Sequence, residues 1–199
     1  MSKIRFVLVG SLMVTACQSK LADQTEDAAE RVTTASKHLR HERQQLVFEV
    51  AQRADDRAAG RDITHHVGEI AAQVKDVSRE AGALAEAEQD FEHLRALRIV
   101  SLRAERSVAA SQPLLIESIA NEKRLSPQRR VRLDENLVIF RHRLAHTQQA
   151  IEALQYVKAA EWEDRDDEVG RAMAGMFIAR DASWSSIDDD YRENAFPES

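Results

Sequence analysis

Seven histidines, a single cysteine and 34 carboxylates are the side chains through which this 199-residue chain could do chemistry. Several stand at spacings that suit a metal ion. His142 and His146 are four residues apart, and Asp62/His65 and Asp90/His93 both read D-x-x-H, the carboxylate–histidine spacing of di-metal helical bundles. A bundle metal site needs every ligand to project into the core, so the register of the helices decides whether these pairs can serve. Motifs for other chemistry are missing from the sequence. It contains no G-x-S-x-G nucleophile elbow, no glycine-rich phosphate loop and no H-E-x-x-H zinc motif.

The elements that would position these residues are helices. Only six glycines and three prolines punctuate the chain, and aromatic residues make up 5% of it. Sheets need turns every ~8–12 residues and favour aromatic and β-branched side chains. The expected fold class is therefore all-α: an elongated antiparallel bundle of three long helices plus two shorter ones, with coiled-coil-like packing. Helix 1 carries Val32, Ala35, Leu39, Leu46, Val50, Ala54 and Ala58 at steps of three, four and seven, with Glu42 interrupting the seam, and Gly60 ends it. Helix 2, from Asp62 to about Ala110, has the clearest pattern. Ile63, Ile70, Val77, Leu84 and Phe91 recur every seven residues, with Val67, Val74 and Ala81 four after the first three. Its length suggests a bend or break near Ser101 to Ser107. Ser111-Gln112-Pro113 opens a short helix, Leu114 to Lys123, and Ser126-Pro127 is a helix start, a Ser cap with Pro at the first helical position. Helix 4 then carries Leu133, Leu137, Phe140, Leu144, Thr147, Ile151 and Leu154 and runs to about Asp164. A last helix, Asp167 to Ala182, carries Met173, Met176, Phe177 and Ile178, with Gly170, Ala174 and Gly175 allowing close approach to a neighbour.

These registers turn nearly all of the histidines outward. With Ile63, Ile70, Val77 and Phe91 at d, His65 and His93 fall at f and Asp62 and Asp90 at c. With Leu137 and Leu144 at a, His142 is at f and His146 at c. With Leu39 at a, His38 is at g and His41 at c. The expectation is no catalytic residue, no cofactor and no built metal site, leaving at most an adventitious surface pair at His142 and His146.

The first twenty residues carry a separate signal. Lys3 and Arg5 precede the apolar run Phe6-Val7-Leu8-Val9-Gly10-Ser11-Leu12-Met13-Val14, which is shorter than the ~20 residues a membrane span needs but has the length of a signal-peptide core. The run ends in Val14-Thr15-Ala16-Cys17. Over residues 1–20 the chain resembles the signal peptides of bacterial lipoproteins, with their lipobox. The resemblance implies cleavage before Cys17, a diacylglyceryl thioether on its sulfur and an acyl chain, such as palmitate, on its new amino terminus. More than one acyl chain gives stable attachment to a bilayer. Gln18 in place of an Asp leans towards the outer membrane, facing the periplasm. Cys17 is the only cysteine, so the mature chain has no disulfide and no thiol nucleophile. The organisation expected is a signal peptide over 1–16, lipidated Cys17 and a tether over 17–30, a helical bundle domain over 31–182 and an acidic flexible tail over 183–199.

Charge is uneven along the chain. The net formal charge is −6, a balance that does not favour nucleic acid. Residues 17–91 carry net −5, residues 92–143 net +5 and residues 144–199 net −8. In an antiparallel bundle the basic stretch gathers at the end where helix 1 begins. Lys123, Arg124, Arg129, Arg130 and Arg132 are therefore candidates for contact with lipid phosphates or an acidic partner, each cation near an anionic surface contributing on the order of 1 kcal/mol. The opposing expectation is that these arginines pair with nearby carboxylates. The function expected is a structural or protein-interaction module of the cell envelope. The alternative is a binding module for a small apolar molecule beside Met173 and Phe177.

Overall fold

A computed structural model describes residues 6–123 and 125–187, with side chains from residue 19 onward. Among the described residues the protein is an all-α helical bundle with no strand. Helix α1 spans Phe6–Ala58, α2 Thr64–Ala110, α3 Gln112–Glu122, α4 Pro127–Ala153 and α5 Trp162–Ile187. Two 3-10 turns, Leu154–Tyr156 and Ala159–Glu161, link α4 to α5. No described helix is long and apolar enough to cross a membrane. The chain forms two compact units, Met1–Arg95 with Lys158–Ala160, and Ala96–Val157 with Glu161–Ser199.

The first unit is an antiparallel hairpin of α1 and the N-terminal part of α2. Its cross-links step back along both helices together: Arg31 with Asp90 at 3.2 Å, His38 with Glu80 at 3.9 Å, Gln73 donating to Gln45 at 3.3 Å, and His66 with Asp56 at 2.8 Å. The turn follows from Gly60. With φ +70° it takes a left-handed conformation, and the Gly60 amide donates to the Arg57 carbonyl while that of Arg61 donates to Asp56. This is a Schellman cap, in which an L side chain would be strained. Asp62 then accepts the amide and hydroxyl of Thr64, at 2.9 and 2.6 Å, where α2 begins.

The residues expected to form a tether, 17–30, lie within α1, where Thr25, Ala28 and Ala29 are buried. The small side chains there let the helix pack closely, so the polar composition does not mark a free segment. The α2 seam also differs from its expected register. The d column of Ile63, Ile70, Val77, Leu84 and Phe91 faces inward, but the second inward column is g, made of His66, Gln73, Glu80, Ala87 and Leu94. Of the expected second column, Val67 and Val74 are about half exposed and Ala81 is partly buried. The helix continues without a break past Ser101 and Ser107.

The second unit contains the end of α2 with α3, α4 and α5. All seven seam residues expected on helix 4, from Leu133 to Leu154, are buried. Ser126 caps α4, accepting the Arg129 amide at 3.4 Å, with Pro127 opening the helix. The α4–α5 boundary falls earlier than expected and without a glycine or proline. The chain turns at 154–161 because Leu154, Val157 and Trp162 all reach the core there, an instance of tertiary packing overriding local propensity. Glu163 and Asp164 then sit in the first turn of α5, where the helix dipole favours them. Helix α5 extends to Ile187, so Ser183, Ser186 and Ile187, expected in a flexible tail, are buried; residues 188–199 lie outside the described residues. Close packing on α5 comes from Ala172, Ala179 and Ser183. A Cβ on Gly170 would meet nothing within 4 Å, and one on Gly175 only the Arg143 side chain at 3.7 Å.

Gly68 and Gly82, both inside α2, also have open space around a Cβ. Gly68→Ala and Gly82→Ala are each expected to stabilise the protein by about 1 kcal/mol, whereas Gly60→Ala costs about 1 kcal/mol through its left-handed backbone. Urea midpoints of the three variants check this pair of opposite signs.

Candidate functional site

The hairpin turn brings together a constellation the expected register did not contain. Asp56 lies in the last turn of α1, beside the Schellman cap. Its carboxylate takes Arg61 on one oxygen at 2.6 Å and Nε2 of His66 on the other at 2.8 Å. His66 occupies the inward g column near the start of α2 and its side chain is only 1% exposed. Its other ring nitrogen, Nδ1, faces Glu69 Oε2 at 3.4 Å and Glu49 Oε2 at 3.7 Å. Neither Nδ1 nor Glu49 Oε2 has a hydrogen-bond partner, and both are buried. The His65 ring lies against that of His66, centroids 3.8 Å apart and tilted by 38°. Ligand atoms of His65, His66 and Glu69 lie within 4.8 Å of one another.

Sequence reasoning placed His65 on the surface, and it is exposed. It missed His66, which the register shift from a to g buries. The signal that could have found the cluster is H-H-x-x-E: on a helix, residues three and four apart share a face, so Glu69 meets both His66 and His65.

The electrostatics of the cluster follow from its contacts. The hydrogen bond to Asp56 is the largest influence on His66 and raises its pKa above the usual 6.5, against the opposing effect of burial. The same bond lowers the Asp56 carboxyl below 3.8, with Arg61 adding to it. Among the facing groups, Glu49 and Asp56 come from α1, Glu69 and His65 from α2, and Arg61 from the turn. In metal-free protein the charged His66 adds stability that is full below pH 6.5 and is lost as pH rises through its raised folded value. The ionised Asp56 adds stability present above pH 3.8 and lost as pH falls through its lowered value. Urea midpoints measured in chelator are therefore expected to be highest between these limits, and His66→Gln to flatten the alkaline side.

The other candidate residues are distributed differently. Lys123 donates to the Ile187 carbonyl at 3.5 Å. Arg130 donates to Asn121 at 2.8 Å and pairs with Asp134, four residues on, at 3.5 Å. The Arg129 amide serves the Ser126 cap, and the Arg132 side chain is exposed. Arg124 and the side chain of Cys17 lie outside the described residues. Elsewhere in the basic stretch, Arg98 grips Asp166, Arg106 donates to the Leu144 carbonyl and Arg141 pairs with Glu117. These arginines work inside the second unit. Met173 and Met176 are buried in the α4–α5 packing, and Phe177 stacks under Arg180 at 4.9 Å. The methionine stripe is core. No family model, curated protein or solved structure matches this chain.

Proposed function

We propose that this chain is a bacterial envelope lipoprotein, cleaved before Cys17 and acylated there, that acts without catalysis as a structural or protein-interaction module on the periplasmic side of the outer membrane. The lipobox order of residues 1–20 supports the anchor. The observation that carries the interaction role is an uncovered apolar face on the hairpin. Along α1 the inward stripe is Leu46, Glu49, Arg53 and Asp56, and the positions one residue on include Val47, Val50 and Ala54. Along α2 the inward stripe is Ile63, His66, Ile70 and Gln73, and the positions one residue on include Val67, Ala71 and Val74. Each residue advances ~100° around a helix, so in an antiparallel pair these two flanking rows fall on the same side. Val47 is 68% exposed and Val50, Val67 and Val74 close to half exposed. A valine-rich face rimmed by charge is what a helix-in-groove or bundle-completing partner covers. The filled methionine core leaves the small-ligand alternative without an observation in its favour.

Two measurements test the reading. Expressed in a bacterium with an alkyne fatty acid, the chain is expected to take up label and lose residues 1–16, and Cys17→Ala to abolish both. An unlabelled, uncleaved product would overturn the anchor. A photo-crosslinking residue at Val50 or Val74 is expected to trap one discrete envelope adduct that the same residue at exposed Glu88 does not. Equal or absent trapping at all three positions would overturn the interaction face.

A further inference from the structure

We propose that the α1–α2 hairpin binds one divalent transition-metal ion of the zinc class through His66 Nδ1, His65, Glu69 and Glu49, with Asp56 as the outer partner that orients His66. The inference begins with the tautomer. Asp56 accepts from His66 Nε2 at 2.8 Å, so Nε2 carries the proton. Nδ1, on a ring with 1% exposure, is aimed at two carboxylate oxygens and can take either a second proton or a metal ion. Two carboxylate oxygens, one on part-buried Glu49 and one on half-exposed Glu69, face this one nitrogen and call for positive charge among them. Glu49 reinforces the point, because its Oε2 is buried without a hydrogen-bond partner on the opposite helix.

The spacing fits a metal. Four ligands held ~2.0–2.1 Å from zinc in a tetrahedron stand roughly 3.4 Å from one another. Nδ1 stands 3.4 Å from Glu69 and 3.7 Å from Glu49, and ligand atoms of His65, His66 and Glu69 lie within 4.8 Å of one another, so rotation of the His65, Glu69 and Glu49 side chains brings them onto an ion held at Nδ1. Exposed His65 brings a second imidazole against the first. The donor set decides the class: two imidazoles with two carboxylates suit zinc, copper or nickel, where oxygen-only sites suit calcium and magnesium. A carboxylate on the far nitrogen of a metal-binding histidine is the usual outer arrangement, fixing the tautomer and raising ligand basicity. Ligands drawn from both helices, α1 through Glu49 and α2 through the rest, make the ion a clamp on the polar end of the hairpin. The alternative occupant of Nδ1 is a proton, which supplies charge but coordinates neither His65 nor Glu49.

The test uses the full chain with Cys17→Ala, which removes the only thiol, titrated with Zn(II) by calorimetry and with Co(II) by visible absorption. One ion per chain and the intense visible bands of tetrahedral cobalt are expected. His65→Asn and Glu69→Gln, both at exposed positions, are expected to weaken binding at least 10-fold each, and His66→Gln to abolish the cobalt bands. His142→Asn with His146→Asn should change nothing. Should His66→Gln fail to fold by circular dichroism, the two exposed-ligand variants still decide. Absence of one-to-one binding, affinity indifferent to His65 and Glu69, or loss of binding in the His142/His146 pair would each overturn the site.

Discussion

Asp166→Ala is expected to destabilise the protein by about 3–5 kcal/mol, the loss typical when one member of a buried ion pair is removed. Arg98 and Asp166 are only 10% and 15% exposed. They meet in a two-pronged grip, Nε to Oδ1 and a terminal nitrogen to Oδ2, each at 3.1 Å. A planar guanidinium matched to a carboxylate in this way combines charge with fixed geometry. Truncating Asp166 removes the carboxylate that two guanidinium nitrogens grip, and the weaker compensation of the charge left inside the second unit accounts for most of the loss. The pair as a whole is worth less than either truncation suggests. Arg98→Met with Asp166→Leu removes both charges and keeps apolar volume, so it is expected to recover most of the stability. Urea unfolding followed at 222 nm on the two single variants and the double variant closes the cycle. A single-variant loss under about 1 kcal/mol, the range of exposed pairs, would show that the grip contributes no more than a surface contact.

Arg98 also shows where a sequence reading stops. It lies in the net-positive stretch 92–143, where counting charge does not reveal the partner a cation takes. Its partner lies 68 residues away, beyond any helical spacing rule. The same holds for Arg106, whose acceptor is the Leu144 carbonyl, and for Arg141, paired with Glu117. Charge counting along a chain sees only local neighbours, and in a bundle the partners of a helix face come from other helices.

The helices were legible because their signals are local. Gly60, Ser126-Pro127 and the α4 seam each state a boundary or a face in a few adjacent residues, and the structure places all of them as read. The second column of α2 was not legible for the opposite reason. Val67 and Val74 are the apolar choice, and a count of hydropathy selects them. Yet α1 presents Glu42, Glu49, Arg53 and Asp56 along the facing stripe, and against such a surface His66, Gln73 and Glu80 find partners that valines could not supply. A two-helix hairpin buries only a narrow stripe from each helix, so once the polar columns take it, the valines are left outside. The candidate site and the uncovered apolar face thus arise from one choice of register. The same hidden pairing makes His66 a buried group although every outward sign of its sequence is polar.

Phe140→Ala is expected to cost a comparable 3–5 kcal/mol, about the range for emptying a fully packed aromatic position, with a fall in melting temperature on the order of 10 °C. Phe140 has no exposed surface and sits midway along a seam in which Leu133, Leu137, Leu144 and Ile151 are buried as well. The seam resists collapse into the space. Thr147 donates its hydroxyl to the Ala172 carbonyl at 3.1 Å, and Asn136 reaches the Ala182 carbonyl and the Ser186 hydroxyl at 3.2 and 3.0 Å. These bonds hold α4 and α5 on both sides of the ring, so the backbones cannot close over the cavity without stretching them. Phe140→Leu keeps most of the volume and is expected to lose under half as much. Ile139→Ala, one residue away but about half exposed, is expected to change stability by less than about 1 kcal/mol. If Phe140→Ala and Ile139→Ala gave equal shifts in urea midpoint with unchanged slope, the α4 seam would not be the core of the second unit.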